Sequence, residues 1–396
     1  MNVDRDDVAP DLAAFHPPAA PPPPPRGKAL LKCVMFFLLS AFVGGIAGWG
    51  VARAGLPFGN ALPAVSWGWV LAFAVLMAWP HIVLHEAGHA LCGLARGMRP
   101  IAFGIGPLRW DRGGSGWRFR HGSRVAGISG FAALLPVGDR GLSRTDQALY
   151  LLGGPLANLA TAAFALALLP LAGEGRVLAS FLLGTAGSAL LLGLANLAPF
   201  RSQGWRSDGR GLLDLLRRSP DAALQQRIAQ LLALNMAGVR PRDWPGELVP
   251  GPLPASASPM LAVNGDILRL SWAMDRGDDV AAAAAAQRVT AKFNTLPEAF
   301  RPHLAIALAG HVARNLRNAA LLAAWRPLCE GGVTDLAPMR AWLDAELAVQ
   351  TGAPDAGDAI VAAHGSLDRA ADPVTAQLLG EYLEELGRRT GGAGDR

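Results

Sequence analysis

The sequence predicts a mostly α protein in two parts. The first is a polytopic membrane domain of about four transmembrane helices with a small β-hairpin insertion; the second is a soluble α-helical, solenoid-like domain. Three observations predict it. Long apolar runs crowd the first 200 residues. Hydrophobic residues make up 51% of the 396-residue chain and charged ones 17%, against about 25% charge in typical soluble domains. From about Leu212 onward, shorter segments carry apolar residues at helical spacing with charged faces between them.

Residues 1–27, with "HPPAAPPPPPRGK", read as a disordered Pro-rich tail, because consecutive prolines cannot build a helix. Residues 28–211 form the expected membrane domain. About 20 residues cross the ~30 Å hydrocarbon core as a helix, and four runs qualify, at about 29–52, 67–95, 150–173 and 177–200. Arg26 and Lys28 precede the first run. Nine arginines lie from Arg96 to Arg144, whereas the segment 56–66 carries no charge. The positive-inside rule then puts the N-terminus, the 96–148 segment and the C-terminus in the cytoplasm. The net charge of +5 therefore fits orientation in a lipid bilayer, with no nucleic-acid partner. The expected location is a bacterial inner (plasma) membrane. Within 100–137, "IAFGIGPLRW", "GWRFRHG" and "VAGISGFAALLPVG" are β-prone and "DRGGSG" marks a turn. A hairpin plus one further extended piece is expected, the last piece apolar enough to dip into the membrane interface. Residues 212–396 read as paired cytoplasmic helices, a surface for a protein partner. Cys33, Cys92 and Cys329 give no disulfide framework.

The second run contains "HEAGH", His85 to His89, an H-E-x-x-H pattern. Residues four apart share a helix face, so two imidazoles can chelate one Zn²⁺ ion. Glu86 then lies beside the metal, where it can act as general base on a bound water whose pKa zinc lowers to about 7. In a soluble helix the pattern can be a solvated face. In a membrane helix each ionisable group costs about 2.5 kcal/mol or more, which marks function. Catalytic zinc takes three protein ligands. Asp208, followed by Gly209 past the fourth run, is the candidate third ligand; Asp214, in "LLDLL", is its rival. Cys92 and His81, each one turn from a zinc histidine, read as packed helix residues.

Four motifs in order, "HEAGH", "FGIGP" (Phe103–Pro107), "GGPLAN" (Gly153–Asn158) and "NLAP…SDG" (Asn196–Gly209), resemble the site-2 protease family of intramembrane zinc metallopeptidases over about residues 67–212. The resemblance implies His85, His89 and Asp208 as metal ligands, Glu86 as the catalytic residue and Asn158 as a substrate-binding residue. The segment from Pro199 to Asp208 holds an additional "RSQGWRS", and no PDZ-like insertion is seen. The expected function is zinc-dependent cleavage of a membrane-anchored protein in or near its transmembrane segment. An unwound substrate would pair with an edge strand from 101–137, a pairing that proline at Ile128 or Phe131 should block. Two alternatives stand beside it: a membrane-held zinc peptidase cutting outside the bilayer plane, and a non-enzymatic scaffold recruiting partners through the C-terminal helices.

Overall fold

The structure is a computed structural model and describes residues 12–20, 65–121, 129–137, 142–202, 205–253 and 257–391. The expected first span at 29–52, and Ile128, lie outside the described residues.

Three helices are long and apolar enough to cross a membrane. Helix α1 (Trp67–Ala95) is almost continuously apolar and ends where Gly97 turns left-handed at φ 74°. Helix α2 (Arg144–Leu168) is prolonged to Ala172 by a 3₁₀ turn. It begins six residues before the expected 150, because Ser143 and Asp146 form a capping box: the Ser143 hydroxyl accepts the Asp146 N–H at 3.1 Å and the Asp146 carboxylate accepts the Ser143 N–H at 3.2 Å. Helix α3 (Arg176–Leu197) stops three residues before the expected 200, since Ala198 precedes Pro199 and is forced into extended backbone. The three helices pack on one another. Gly88 of α1 faces Gly153 of α2, and a Cβ on either would run into the other's carbonyl, so small residues set the close approach. Their outer faces carry exposed Leu71, Val75, Leu76, Leu91, Phe164 and Leu178, a run of large apolar side chains of the kind that marks a membrane or interaction face.

Between α1 and α2 lies a four-stranded antiparallel sheet of β1 (Arg99–Ile105), β2 (Leu108–Gly113), β3 (Gly116–His121) and β4 (Gly130–Leu135), in the order β3-β2-β1-β4. One hairpin and one extended piece were expected. The difference arises in "IAFGIGPLRW", which folds back on itself at Gly106 (φ 56°) and Pro107 to give both β1 and β2. Strand β4 is an edge strand and packs along α1. Opposite residues of an antiparallel pair share a face, so Arg109 and Arg120 lie together, as do Asp111 and Arg118. That face meets the C-terminal helices. Arg118 pairs with Asp368, and Arg120 bridges the Asp111 carboxylate (2.5 Å) and the Val333 carbonyl (2.9 Å).

The C-terminal region is helical: α4 (Asp208–Leu216), α5 (Pro220–Met236), α6 (Pro259–Arg276), α7 (Asp279–Lys292), α8 (Arg301–His311), α9 (Ala319–Trp325), α10 (Ala337–Thr351), α11 (Ala356–His364) and α12 (Pro373–Gly391). Side-chain caps start several of them, Ser219 on α5, Asp278 on α7 and Asn318 on α9, and left-handed glycines end α6 and α10. Helix α4 spans the expected boundary at 211/212, so the two parts are joined by a continuous helix. One further expectation is corrected. Within the tail expected to be disordered, Leu12–Phe15 form a 3₁₀ turn and Phe15 is buried in the C-terminal core, because an aromatic anchor supplies burial that the flanking prolines cannot.

Candidate metal centre

Helix α1 turns His81, His85, Glu86 and His89 inward, all buried in an otherwise apolar helix. His85 Nε2 lies 3.2 Å from His89 Nε2. Asp208 Oδ2 completes a triangle, 3.2 Å from His85 Nε2 and 3.4 Å from His89 Nε2. These three residues are the candidate metal-holding group among the described residues. Their fit to an ion can be tested by geometry. Ligand bonds of about 2.0–2.1 Å at tetrahedral angles put ligand atoms about 3.3–3.4 Å apart. The observed edges match that figure. Two imidazoles and a carboxylate suit zinc and other first-row divalent ions.

The outer nitrogens of the imidazoles are held as ligands require. His89 Nδ1 lies 2.6 Å from the Tyr150 carbonyl. A carbonyl only accepts, so Nδ1 carries the proton and Nε2 presents its lone pair to the centre. The Gly154 N–H, 3.4 Å from the same nitrogen, is too far and has no lone pair there to use. His85 Nδ1 faces the Asn158 amide at 3.2 Å, and the Asn158 Oδ1 is buried without a partner. A half-turn of the amide exchanges its two ends. In that orientation Oδ1 would accept the His85 Nδ1–H and leave Nε2 its lone pair for a metal.

Two glycines are obligatory for close approach. A Cβ on Gly154 would sit 2.7 Å from His85 Nε2 and closer still to His89 Nε2, and one on Gly209 would strike the Leu197 carbonyl. The second contact explains the Asp-Gly pair. Asp208 is the first residue of α4, and its helix end is pressed onto the end of α3. Ser207 caps α4 by accepting the Arg210 N–H at 3.1 Å, and its hydroxyl also donates to the Ala198 carbonyl at 2.5 Å. The additional residues after Pro199 do not carry Asp208 away. Strands Arg201–Ser202 and Trp205–Arg206 pair as a small ribbon. Phe200 and Ser207 close its base, where Ser207 N–H donates to the Phe200 carbonyl at 3.1 Å.

Asp214 does not join the group. It is buried at 2% exposure and is engaged by Arg210 at 3.0 Å, Arg201 at 3.4 Å and Arg206 at 3.8 Å. His81 Nε2 donates to the Thr185 carbonyl at 3.0 Å and serves the α1–α3 contact. Cys92 packs at the α1–α2 crossing near Gly153. Glu86 lies within electrostatic reach of His85, His89 and Asp208. It is covered by the start of β4, where a Cβ on Gly130 would fall 3.1 Å from Glu86 Oε1. One participant escapes a motif search. The Tyr150 carbonyl orients His89 while its hydroxyl donates to the Ala132 carbonyl of β4 at 2.6 Å, linking centre to sheet. Tyr150 is one of two tyrosines in the chain and stands three residues before "GGPLAN", a faint signal at best.

Comparison with protein-family models, curated proteins and solved structures returned no match.

Proposed function

We propose that the chain is a zinc-dependent intramembrane endopeptidase of the site-2 protease type, cutting a membrane-anchored protein in or near its transmembrane segment. The observation that carries this reading is the convergence of His85, His89 and Asp208 at 3.2–3.4 Å, with Glu86 adjacent, inside a helix fit to cross a membrane. Zinc held there would supply Lewis acidity, bringing a bound water to a pKa of about 7. Glu86 takes the proton from the attacking water and passes it to the departing amine. Asn158 and the Tyr150 carbonyl hold the two imidazoles in register. The expected contact of Asn158 with substrate rests on the family resemblance, since Asn158 is 0% exposed behind His85.

Strand β4 is an edge strand of the sheet among the described residues and begins over Glu86, which favours presentation of an unwound substrate as an added strand. A Cβ built on Gly106 would lie 3.9 Å from the Trp79 indole nitrogen, so the β1–β2 turn lies beside α1; a dip of the last extended piece, "VAGISGFAALLPVG", into the interface stays part of the proposal.

A four-span layout with both termini in the cytoplasm is part of the proposal. Phe15 packs in the C-terminal core, which supports placing the N-terminal segment and the C-terminal helices on one side of the membrane. With α1 to α3 as three crossings, this layout calls for one more ahead of α1. The apolar run at 29–52 has the length for it. The arginines on the sheet then face the cytoplasm. Adjacent pairs α6/α7 and α10/α11 favour the solenoid-like description of the C-terminal region, available to a protein partner.

The test is cleavage of reporter proteins, with and without a transmembrane segment, by the wild type and Glu86→Gln in proteoliposomes. Cleavage confined to the membrane-anchored reporter and abolished in Glu86→Gln is expected. Cleavage of both reporters would favour a peptidase working outside the bilayer plane. A partner-recruiting function untouched by Glu86→Gln, with no cleavage by the wild type, would favour a scaffold.

A further inference from the structure

The segment Leu12–Ala20 lies against the C-terminal helices in a manner that resembles a bound ligand. Phe15 is 1% exposed and shares a buried cluster with Val289, Phe293, Leu322 and Trp325. Its ring lies 5.5 Å from that of His311. Two side-chain N–H groups of the C-terminal region reach the segment's backbone. Trp325 Nε1 donates to the Phe15 carbonyl at 2.7 Å, and Asn294 Nδ2 donates to the Ala19 carbonyl at 2.8 Å. Between these carbonyls stand Pro17 and Pro18, which have no N–H to satisfy. An aromatic anchor in a pocket, with indole and amide donors on the carbonyls flanking prolines, is the chemistry by which proline-rich segments are captured from other chains. Nothing in it requires the segment to be covalently attached.

We infer that this groove, built by α7, the turn Phe293–Thr295 and α9, is a peptide-recognition site for Phe-x-Pro-Pro segments. Leu12–Ala20 is its resident ligand in cis, and a like segment on a membrane-held partner protein takes its place. A ligand held in cis by a flexible tether has an effective concentration of up to about millimolar, so the resident wins at rest. A rival has to be concentrated by the same membrane to displace it. The chain passes from Ala20 through a proline run towards the apolar run at 29–52. Exchange therefore unties the C-terminal region from the N-terminal side of that run and joins it to the partner.

The full-length chain with a protease site in place of residues 21–25 tests this in detergent. It is cut after folding, then exposed to a fluorescent peptide of sequence Leu12–Ala20. The released piece is expected to co-purify with the chain and to be displaced by excess labelled peptide, with the uncut chain taking up little label. In the labelled peptide, Phe15→Ala should weaken uptake by about tenfold or more. Asn294→Ala in the chain should weaken it several-fold without lowering the thermal midpoint. A released piece that leaves while labelled peptide fails to bind overturns the proposal. So does a piece that stays and never exchanges, because it is then a fixed part of the core. Equal labelling of cut and uncut chains also overturns it, by placing the label elsewhere.

Discussion

Replacing Gly154 with alanine adds one methyl group at the centre of the candidate metal site. That methyl would sit 2.7 Å from His85 Nε2 and closer to His89 Nε2, while ordinary carbon contacts begin at about 3.5 Å. The rings must therefore recede by roughly 0.8 Å or α1 and α2 must part. Neither ring can swing freely, because His89 Nδ1 is fixed at 2.6 Å on the Tyr150 carbonyl and His85 Nδ1 at 3.2 Å on Asn158. Metal sites tolerate ligand displacements of about 0.2 Å, so zinc affinity should fall by about 100-fold or more, at the upper end of changes seen when a ligand's orientation is lost. Fold stability should fall by no more than about 1–3 kcal/mol, the usual cost of an overpacked methyl, partly offset by alanine's better helix propensity of about 0.5–1 kcal/mol. Gly187→Ala in α3 is the control, because its Cβ meets nothing within 4 Å. Zinc affinity is measured by competition with a chromophoric chelator on purified protein in detergent, with thermal unfolding alongside. Unchanged zinc affinity in Gly154→Ala would refute the assignment of the His85–His89 pair as a metal site held this tightly.

Other expectations follow from the same geometry. Asp208→Ala should lose zinc, whereas Asp214→Ala should keep it and cost about 2–3 kcal/mol of stability, as three partly exposed arginines lose a buried partner; equal zinc loss in both would revive Asp214. Phe131→Pro should abolish cleavage at unchanged zinc content if substrate pairs with β4, and retained turnover would remove strand pairing from the account. Burial, then the Arg120 cation, holds His303 at about 4, down from 6.5. The unfolded chain thus binds more protons between those values. The stability His303 contributes is complete above about pH 6.5 and is lost as pH falls towards 4, by up to about 3 kcal/mol. Denaturant unfolding of wild type and His303→Gln across that window checks it: a wild-type slope no steeper than the variant's would count against it.

The three long apolar helices and the two histidines of the candidate metal centre were legible because both signals are local. Helix α1 coincides with the expected 67–95, and His85 and His89 share a face by spacing alone. The boundary errors have local causes that an apolar window misses: Ser143 caps α2 ahead of a polar first turn, and Pro199 stops α3. The Gly106–Pro107 turn was also written in the sequence but was read as part of one strand. The choice between Asp208 and Asp214 was not legible. It depends on three arginines folding around Asp214, and on a ribbon over "RSQGWRS" returning Asp208 to the end of α3. The docking of Phe15 was still less so, since Trp325 and His311, its partners, lie some three hundred residues away in the chain. A proline-rich tail shows its stiffness in sequence and hides its anchor.

The most direct test of the central claim is metal content. The wild type, His85→Ala, His89→Ala, Asp208→Ala and Glu86→Gln are purified in detergent, checked for folding, and measured by elemental analysis. About one zinc per chain is expected in the wild type and in Glu86→Gln, and none in the three ligand variants. A well-folded wild type without zinc after growth in zinc, or zinc undiminished in Asp208→Ala, would contradict the account.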